Sequence, residues 1–435
     1  MANLHTSFIG IQSPNPFWLA SAPPTDKAYN VNRAFEAGWG GVVWKTLGEA
    51  GPPVVNVNGP RYGALMSPDR RLLGFNNIEL ITDRDLEVNL REITQIKRCW
   101  PDRAMIVSLM VPCEEASWKA ILARVNDTGA DGIELNFGCP HGMSERGMGA
   151  AVGQVPEYIQ MVTEWCKHYS RLPVIVKLTP NISDIRQPAR AAQRGGADAV
   201  SLINTINSIV GVDPYSLTML PSTGGLGSHG GYCGPAVKPI ALNMVAEIAR
   251  DPQTAGLPIS GIGGVGSWRD AFDFIALGAG TVQVCTAAMV HGFKIVQEMS
   301  SGLSDYMDEM GFTSMDDFRG RAVPTVADWR KLNLNHVSKA VINQDSCISC
   351  GRCHIACEDT SHQAISTLKD GKRHFEVKED ECVGCNLCTL VCPVPECITL
   401  RNLQPGEKDL RTGRIVSDQH ADWTTHANNP MRVSA

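Results

Sequence analysis

Two cysteine-rich stretches near the C-terminus carry the clearest chemistry in the sequence. Both have the spacing C-x2-C-x2-C-x3-C: Cys347, Cys350, Cys353 and Cys357 in one, and Cys382, Cys385, Cys388 and Cys392 in the other. This spacing wraps a cubane iron–sulfur cluster, and in two-cluster modules the fourth cysteine of each run ligates the other cluster. The runs predict one [4Fe–4S] cluster on Cys347, Cys350, Cys353 and Cys392 and another on Cys382, Cys385, Cys388 and Cys357. Structural zinc, which prefers separated C-x2-C pairs, is the less favoured alternative.

A separate cysteine, Cys139, lies in the stretch ELNFGCPHGMSERGMG at 134–149. It precedes Pro140 and a glycine-rich run, so we predict that it lies at the mouth of a loop whose glycines, from 142 to 149, act as hinges. A thiol with an ordinary pKa of about 8.5 is protonated at neutral pH and can donate a proton. Cys139 is therefore the candidate proton donor, and His141 is predicted to order the loop.

Lysines and glycines point to a flavin upstream of the cysteine runs. Iron–sulfur clusters transfer single electrons, and a flavin is the cofactor that usually couples one-electron transfer to two-electron chemistry. Gly263 and Gly264, in GIGGVGS, follow a predicted late strand, where barrel loops commonly bind phosphate. Lys45 and Lys177 each end an apolar stretch, and a buried lysine needs a partner. A reduced flavin could be that partner; the alternative is a structural carboxylate at the rim of the barrel.

Three asparagines follow or end predicted strands: Asn77 in FNNIEL, Asn136 in ELNFGCP and Asn204 in LINTIN, where Thr205 is adjacent. Each amide offers one acceptor and two donors, which match a ring with alternating N–H and C=O groups. Together they favour uracil or thymine over a charged acid, which would call for arginine. Taken singly, such an asparagine is more often a loop cap.

The elements that must position these groups alternate between short apolar runs and amphipathic helices. Eight candidate strands are Phe17–Ser21, Gly40–Thr46, Ala104–Met110, Gly132–Phe137, Pro173–Leu178, Ala199–Asn204, Pro258–Gly264 and Thr281–Cys285. Gly38, Gly129, Gly196 and Gly278 recur at helix-to-strand turns, where glycine can adopt the left-handed conformation. The pattern predicts an α/β fold, a (β/α)8 TIM barrel. A doubly wound open sheet is the rival, weakened because no G-x-G-x-x-G follows the first strand.

Composition sets the remaining expectations. We predict a barrel at 1–300, a helical connector at 301–343, a small α+β ferredoxin domain at 344–400, and a polar C-terminal tail at 401–435 that is extended or wraps a partner rather than forming part of a core. A net charge of −6 over 435 residues gives no nucleic-acid or membrane-surface signal. The N-terminus has no leader pattern and the chain has no run of about 18 apolar residues. The expectation is a cytoplasmic protein with reduced or metal-bound cysteines.

The motifs ELNFGCPHGMSERGMG, VKLTPNISDI, INTINSIVG and GGYCGPAVKPIAL, followed by the double cysteine run, resemble the dihydropyrimidine dehydrogenases. The likeness is to the part of that family that holds the flavin barrel and the C-terminal ferredoxin domain, and the wider relatives are the dihydroorotate dehydrogenases. The resemblance implies FMN, two [4Fe–4S] clusters and NAD-linked reduction of uracil and thymine to their 5,6-dihydro forms.

The resemblance also implies residue roles. Flavin-contacting positions are Ala20, Ser21, Lys45, Thr46, Lys177, Gly234, Gly263, Gly264, Cys285 and Thr286. Pyrimidine-contacting positions are Asn77, Glu79, Asn136, Phe137, Gly138, Asn204 and Thr205, and Cys139 is the catalytic cysteine. No nicotinamide-binding motif precedes the barrel, so the resemblance implies a partner subunit that carries FAD and the NAD(P)H site, in a hetero-oligomer such as a heterotetramer.

The resulting hypothesis is hydride delivery to C6 of the pyrimidine and a proton from Cys139 to C5. The runner-up is a dihydroorotate-type dehydrogenase or another ene-reductase on the same barrel. No arginine stands beside the three asparagines in their motifs to meet an orotate carboxylate, which argues against it. A different class, an electron-transfer subunit with a non-catalytic barrel, is disfavoured by the positions of the lysines and Cys139.

Overall fold

The computed structural model describes residues 2–140, 147–360, 362–370 and 372–432. The chain divides into two compact units, Met1–Val326 and Ala327–Ala435. The strands of the first unit are β1 (Thr6–Phe8), β2 (Ile11–Ser13), β3 (Phe17–Leu19), β4 (Gly41–Leu47), β5 (Tyr62–Met66), β6 (Leu72–Asn77), β7 (Ala104–Leu109), β8 (Gly132–Asn136), β9 (Val174–Lys177), β10 (Ala199–Leu202), β11 (Ile206–Ser208), β12 (Gly211–Val212), β13 (Met219–Leu220), β14 (Gly230–Cys233), β15 (Ile259–Ile262) and β16 (Ala279–Val284). Its helices are α1 (Ala28–Ala37), α2 (Leu86–Cys99), α3 (Glu115–Val125), α4 (Ala150–Gly153), α5 (Pro156–Tyr169), α6 (Arg186–Arg194), α7 (Lys238–Ala249), α8 (Trp268–Ala276), α9 (Thr286–His291) and α10 (Ile295–Met310).

Eight parallel strands close into a barrel in the order β3, β4, β7, β8, β9, β10, β15 and β16. Each coincides with one of the eight predicted strands, so the TIM-barrel prediction is confirmed and the open sheet is wrong. The strands are buried along their whole length and mostly apolar, as β4 (GVVWKTL) illustrates, because helices cover their outer side and side chains fill the interior. The four turn glycines all have positive φ, from 81° at Gly129 to 117° at Gly38.

A second, antiparallel sheet was not predicted. It has the strand order β11-β14-β6-β5 and is assembled from two insertions between barrel strands. Asn77 on β6 faces Gly231 on β14 in its register. These strands are short. β5 is mostly exposed and β6 mixes exposed, half-buried and buried residues, so they lack the continuous buried pattern of the barrel strands.

The segment predicted as a helical connector, residues 301–343, is divided between the two units. Its first part belongs to the barrel unit, where Leu303, Met307, Met315 and Phe318 join the hydrophobic core. The apolar period of α10 explains this, because it presents one continuous stripe to the core. The part after Val326 belongs to the second unit.

The second unit is built from two antiparallel strand pairs and two short helices. Its elements are β17 (Ser338–Ile342), α11 (Arg352–Glu358), β18 (Ile365–Asp370), β19 (Lys372–Val377), α12 (Leu387–Val391) and β20 (Ile398–Asn402). β17 pairs with β20 and β18 pairs with β19. Four cysteines belong to the buried core of this unit, together with apolar residues such as Phe375 and Ile398.

The tail after Arg401 makes contacts within the second unit, and the prediction that it wraps a partner stays a prediction. Leu403 and Val416 are buried, and an isolated bridge joins Lys408 to Ile415. The Asp409 carboxylate, also buried, lies 2.7 Å from the ammonium of Lys339 on β17. The buried ion pair, the two buried apolar residues and backbone hydrogen bonds such as that from Leu403 N–H to the Val337 carbonyl, at 2.9 Å, hold this segment, and its polar average composition conceals these contacts. Within the described ranges, no helix is long and apolar enough to cross a membrane.

Candidate active site

A cavity of about 620 Å³ opens at the carboxyl ends of the barrel strands; we call it the barrel cavity. Its size is in the usual range for a cofactor or substrate pocket. All but two of the residues predicted to contact flavin or pyrimidine line it: Ala20, Ser21, Lys45, Thr46, Asn77, Glu79, Asn136, Cys139, Lys177, Asn204, Thr205, Gly234, Gly263, Gly264, Cys285 and Thr286. The barrel therefore brings together residues from positions 20 to 286 of the chain.

The two exceptions are Phe137 and Gly138, which do not line the barrel cavity. The Phe137 ring is buried in the core, edge-on to Trp118 with 6.2 Å between ring centroids. Gly138 lies under Asn204, and a Cβ at this position would be only 2.3 Å from the Cβ of Asn204. Side-chain direction explains the position of Phe137, because successive residues of an extended segment point to opposite faces and Phe137 directly follows the lining residue Asn136. Gly138 instead allows close approach of two loops.

Lys45 lies between two carboxylates at one wall of the cavity. Its Nζ donates to Glu79 Oε1 at 3.0 Å and is 3.7 Å from Asp26 Oδ2. Glu79 also accepts from Asn56 and Arg61, both at 3.3 Å. Lys45 therefore pairs with carboxylates, as the alternative prediction states. Because it also lies in the cavity wall, it is available to an anionic ligand as well.

Lys177 has a comparable arrangement inside the barrel. Its Nζ is 3.3 Å from Glu134 Oε1, and the Glu134 side chain is completely buried. The other oxygen of Glu134 accepts from Ser201 at 2.8 Å and from Gln283 at 3.1 Å. A buried carboxylate needs such partners, so this network fixes Lys177 in the wall of the cavity. Glu134 had not been singled out, although it lies two residues before Asn136 on the same strand and therefore shares its face.

Two of the three amides, Asn136 and Asn204, are hydrogen-bonded to each other, whereas Asn77 is bonded separately on the inserted sheet. Asn204 donates to Asn136 Oδ1 at 2.9 Å, and Asn136 donates to Thr46 Oγ1 at 3.0 Å. On the inserted sheet, Asn77 donates to the carbonyl of Gly231 at 2.8 Å. Each of these bonds uses one of the two N–H groups of an amide, so the second N–H group of each asparagine can donate to another group. Asn136 and Asn204 can thus orient each other and still bind a ligand.

Cys139 lies beside these amides in the wall of the cavity, partly exposed. Its carbonyl accepts from the N–H of Ala150 at 3.0 Å, and its side chain packs against a small cluster of Ile81, Met110 and Met148. Of the loop predicted to close over the site, at 142–149, residues 142–146 lie outside the described residues, as does His141.

Two other cysteines in the cavity wall differ from Cys139. Burial raises the pKa of the Cys285 thiol to about 12, with a further contribution from the nearby Cys233. Burial also raises the pKa of Cys233, although hydrogen bonds to Thr286 and Asn77 act in the opposite direction. Both thiols are therefore protonated at neutral pH, and a thiol is a poor nucleophile. Their surroundings suit packing against a ligand.

Several lining residues were missed at the sequence level because they lie on the inserted sheet. Tyr62 donates to Glu79 at 3.4 Å, and burial together with Glu79 raises its pKa, so the phenol stays protonated. Arg70 and Arg71 also line the cavity, from the turn between β5 and β6. The asparagine motifs contain no arginine that could meet a carboxylate substrate, but these two arginines bring guanidinium groups to the same cavity.

The residues of the cavity fit an FMN group on two observations. Gly263 and Gly264 have φ values of 130° and 74°, and a Cβ on either would come within 2.8 Å of Ala241 or Lys238. Only glycine allows this backbone to line the cavity, and such turns expose N–H groups to phosphate. The cavity also has a buried ammonium on each of two walls, Lys45 and Lys177. The donor set therefore suits an anionic ring system that carries a phosphate.

The eight cysteines of the two runs divide into two groups in the second unit. Cys347, Cys350, Cys353 and Cys392 line one cavity, the first cysteine cavity. Cys357, Cys382, Cys385 and Cys388 line another, the second cysteine cavity. Each cavity thus receives three cysteines from one run and the fourth from the other, the partition that the spacing predicts. Within the described ranges, no three His, Cys, Asp or Glu side chains converge on a single-ion site, whereas a cubane cluster needs ligands spread around a larger volume.

Cys397 is the remaining cysteine of the second unit. It is buried, its Sγ is 3.7 Å from the carbonyl of Asn343, and it also lines the first cysteine cavity. Cys397 is not part of either C-x2-C-x2-C-x3-C run, so it belongs to neither predicted ligand set. Its structural role stays a prediction.

Comparison with known proteins gives two family matches. Residues 3–307 match the family model described as dihydroorotate dehydrogenase. Residues 340–400 match the model described as a 4Fe-4S dicluster domain. The two matches together span both units of the chain.

Among curated proteins, the chain is 40% identical over 363 residues to the NAD-dependent dihydropyrimidine dehydrogenase subunit PreA of Escherichia coli K12, covering 83% of this chain and 87% of that protein. It is 41% identical to the chloroplastic dihydropyrimidine dehydrogenase (NADP(+)) of Arabidopsis thaliana, covering 74% and 77%. It is 36% identical to the catalytic subunit of dihydroorotate dehydrogenase B (NAD(+)) of Pyrococcus horikoshii, covering 74% and 98%. A crystal structure of DHODH from Eimeria tenella in complex with ferulenol shares the fold, with a TM-score of 0.59, 19% identity and coverage of 73% and 88%.

Proposed function

The chain belongs to the dihydroorotate dehydrogenase family of oxidoreductases, and from this premise we propose that it reduces the 5,6 double bond of uracil and thymine. The observation that carries the proposal is the hydrogen-bonded pair of Asn136 and Asn204 beside Cys139 in one cavity wall. The names of the relatives at 40% and 41% identity, both dihydropyrimidine dehydrogenases, support the same substrate class.

The barrel cavity would hold FMN through the turn at Gly263 and Gly264 and the ammonium groups of Lys45 and Lys177. FMN, when bound, supplies a hydride for C6 of the pyrimidine. Lys45 and Lys177 are held in place by Glu79 and Glu134 respectively. Their positive charge would favour the anionic reduced form of the cofactor, and the fixed partners avoid reorganisation during the reaction.

Cys139 would donate the proton that C5 receives. Its thiol loses the proton as the C5–H bond forms, and solvent returns a proton to the thiolate. Asn77, Asn136 and Asn204 would hold the pyrimidine through its alternating N–H and C=O groups. Their N–H donors would also stabilise negative charge that develops on the carbonyl oxygens before C5 is protonated.

The second unit would supply electrons one at a time through two [4Fe–4S] clusters. The ligand sets would be the cysteines of the two cysteine cavities, as assigned above. We further propose that electrons enter from NAD(P)H through a partner subunit that carries FAD. The printed name of the relative at 40% identity describes it as a subunit of an NAD-dependent enzyme, which supports a hetero-oligomer.

An anaerobic experiment tests the substrate class directly. The purified chain is reduced with dithionite, excess reductant is removed, and oxidation of the flavin is followed after addition of uracil, thymine or orotate. We expect uracil and thymine to reoxidise the flavin. Rapid reoxidation by orotate alone would instead support a dihydroorotate-type dehydrogenase, for which Arg70 and Arg71 in the cavity wall offer a carboxylate site.

Variants of Cys139 test its role as proton donor. Cys139→Ala should slow reoxidation by uracil by about 10²-fold or more, the usual contribution of a general acid. Cys139→Ser should lie between that variant and the parent, because a hydroxyl is a weaker acid. Cys99→Ala, an exposed cysteine at the end of α2, is the control and should react as the parent does. Full-rate reoxidation in Cys139→Ala with FMN bound would exclude the proposed role.

A further inference from the structure

Lys339 is the most deeply buried lysine that the barrel chemistry does not use. It lies on β17 with 1% of its surface exposed. Its ammonium donates to the carbonyl of Cys382 at 2.7 Å and to that of Glu379 at 2.9 Å. The carboxylate of Asp409, from the C-terminal tail, lies 2.7 Å away on the same nitrogen. The charge is thus fixed between one cysteine-bearing loop and the tail.

The loop that Lys339 binds belongs to the second cysteine cavity. Cys382 is one of its four cysteines, and the N–H of Ala340, the residue after Lys339, donates to the Sγ of Cys382 at 3.5 Å. The N–H of Ala364 likewise donates to the Sγ of Cys357 at 3.2 Å, in the same set. Hydrogen bonds to ligand sulfur and nearby positive charge both stabilise the reduced cluster.

The first cysteine cavity has a different electrostatic setting. Arg373 lies against Gly351, and its guanidinium stacks over Phe375, with 5.0 Å to the ring centroid. Arg373 is exposed, however, so water and salt screen its charge. A buried ammonium is screened much less, because the surrounding medium has a low dielectric constant.

We propose that Lys339 raises the reduction potential of the cluster held by Cys357, Cys382, Cys385 and Cys388, and that Asp409 limits this increase. One-electron reduction adds one negative charge to the cluster without making or breaking a bond. The ammonium lies on the loop that bears Cys382 and attracts this charge. The Asp409 carboxylate opposes it from the tail side. The proposal rests on the cluster assignment made under Proposed function.

The test uses variants of the full chain with clusters bound. Lys339→Met alone would leave Asp409 buried without its partner, so the informative comparison is Asp409→Asn against the double variant Lys339→Met/Asp409→Asn. Midpoint potentials are measured by an anaerobic redox titration followed by electron paramagnetic resonance. Cys350→Ser and Cys385→Ser each replace one ligand of one set and identify which signal belongs to which cluster.

Asp409→Asn should shift the potential of the cluster identified by Cys385→Ser to a higher value. In the double variant the potential of this cluster should be lower than in Asp409→Asn. The potential of the other cluster should shift less in both variants. If Lys339 and Asp409 only held the tail in place, the two variants should not shift the potential in opposite directions, because both lose the ion pair. Equal potentials in the two variants, or a shift confined to the other cluster, would overturn the proposal. Iron and sulfide contents inconsistent with two clusters would instead overturn the cluster assignment, and the present proposal with it.

Discussion

At the scale of single residues, Asp26 and Glu79 hold Lys45 in unequal ways. Glu79 has four polar partners, whereas Asp26 Oδ1 is buried and has no hydrogen-bond partner among the described residues. Burial raises the pKa of Asp26, an effect that outweighs the opposing influence of Lys45, Thr82 and Arg84. The Asp26 carboxylate is therefore a net cost to the folded state at neutral pH, even though it faces an ammonium.

The raised pKa predicts a pH-dependent effect of Asp26→Asn. Because the folded-state pKa is above the unfolded value, ionisation of Asp26 destabilises the fold above the folded pKa, and this cost disappears below about pH 4. Asp26→Asn should thus be as stable as the parent or more so at pH 7, with the difference vanishing toward pH 4. The measurement is the midpoint of thermal flavin release between pH 4 and 8.

The exposed residue Asp305 provides the matched control, as Asp305→Asn, and should leave the pH profile unchanged. Lower stability of Asp26→Asn than of the parent at pH 7 would contradict this account. It would mean that the attraction between Asp26 and Lys45 exceeds the cost of burying the carboxylate.

We expect neutralisation of Glu134 to lower the stability of the fold. Its side chain is completely buried and is the carboxylate partner of Lys177, whose side chain is also almost fully buried. Removal of one member of a buried ion pair leaves the other uncompensated, so Glu134→Gln should lower the free energy of unfolding by about 3–5 kcal/mol. Urea denaturation of the flavin-bound protein provides the measurement.

Ser201→Ala is the corresponding control, because it removes only one of the hydrogen bonds to Glu134. Its cost should be about 1 kcal/mol, the typical value for a single hydrogen bond. If both variants lost the same amount, the charge of Glu134 would contribute nothing beyond its hydrogen bonds.

At the scale of elements, the site depends on how closely the loop after β8 approaches the loop after β10. Gly138 makes this approach possible, since a Cβ there would lie 2.3 Å from Asn204 Cβ and 2.6 Å from its amide nitrogen. Gly138→Ala should therefore separate Asn136 from Asn204 and raise the KM for uracil by about tenfold or more, the equivalent of about 1.4 kcal/mol in binding. FMN content should not change, because Gly138 does not line the barrel cavity.

Gly211→Ala is the matched control for this substitution. A Cβ at Gly211 would have no neighbour within 4 Å, so the same added methyl group should leave KM unchanged. A Gly138→Ala variant with normal KM and normal FMN content would show that the amide pair does not set pyrimidine affinity.

The nature of these elements explains which parts of the fold and of the site could be predicted from the sequence. The barrel strands were predictable because they are continuous apolar runs between amphipathic helices, and Asn136 and Lys177 follow from their positions at strand ends. Glu134 could have been found from its two-residue spacing to Asn136. Tyr62 and Arg70 could not, because β5 and β6 are short strands of mixed burial, and the pairing of β6 with β5 and with the distant β14 is set by tertiary contacts.

At the scale of the whole molecule, the two units have separate hydrophobic cores. The barrel core is formed by aliphatic and aromatic side chains and includes Phe318, whereas the core of the second unit contains Cys353, Cys382, Cys388 and Cys397. A core built around metal ligands depends on the metal for its stability, because ligand binding free energy is part of the folding free energy. The barrel core has no such dependence.

This difference predicts selective loss of the second unit when its ligands are removed. A Cys350→Ser/Cys385→Ser variant, which replaces one cysteine in each cysteine cavity, should lose the visible absorption of both clusters. It should keep one FMN per chain and the thermal midpoint of flavin release. With the flavin reduced directly by light and a sacrificial donor, uracil should still reoxidise it at the parent rate. Because the barrel residues would be unchanged, loss of FMN from this variant would show that the barrel cavity needs the second unit for its integrity.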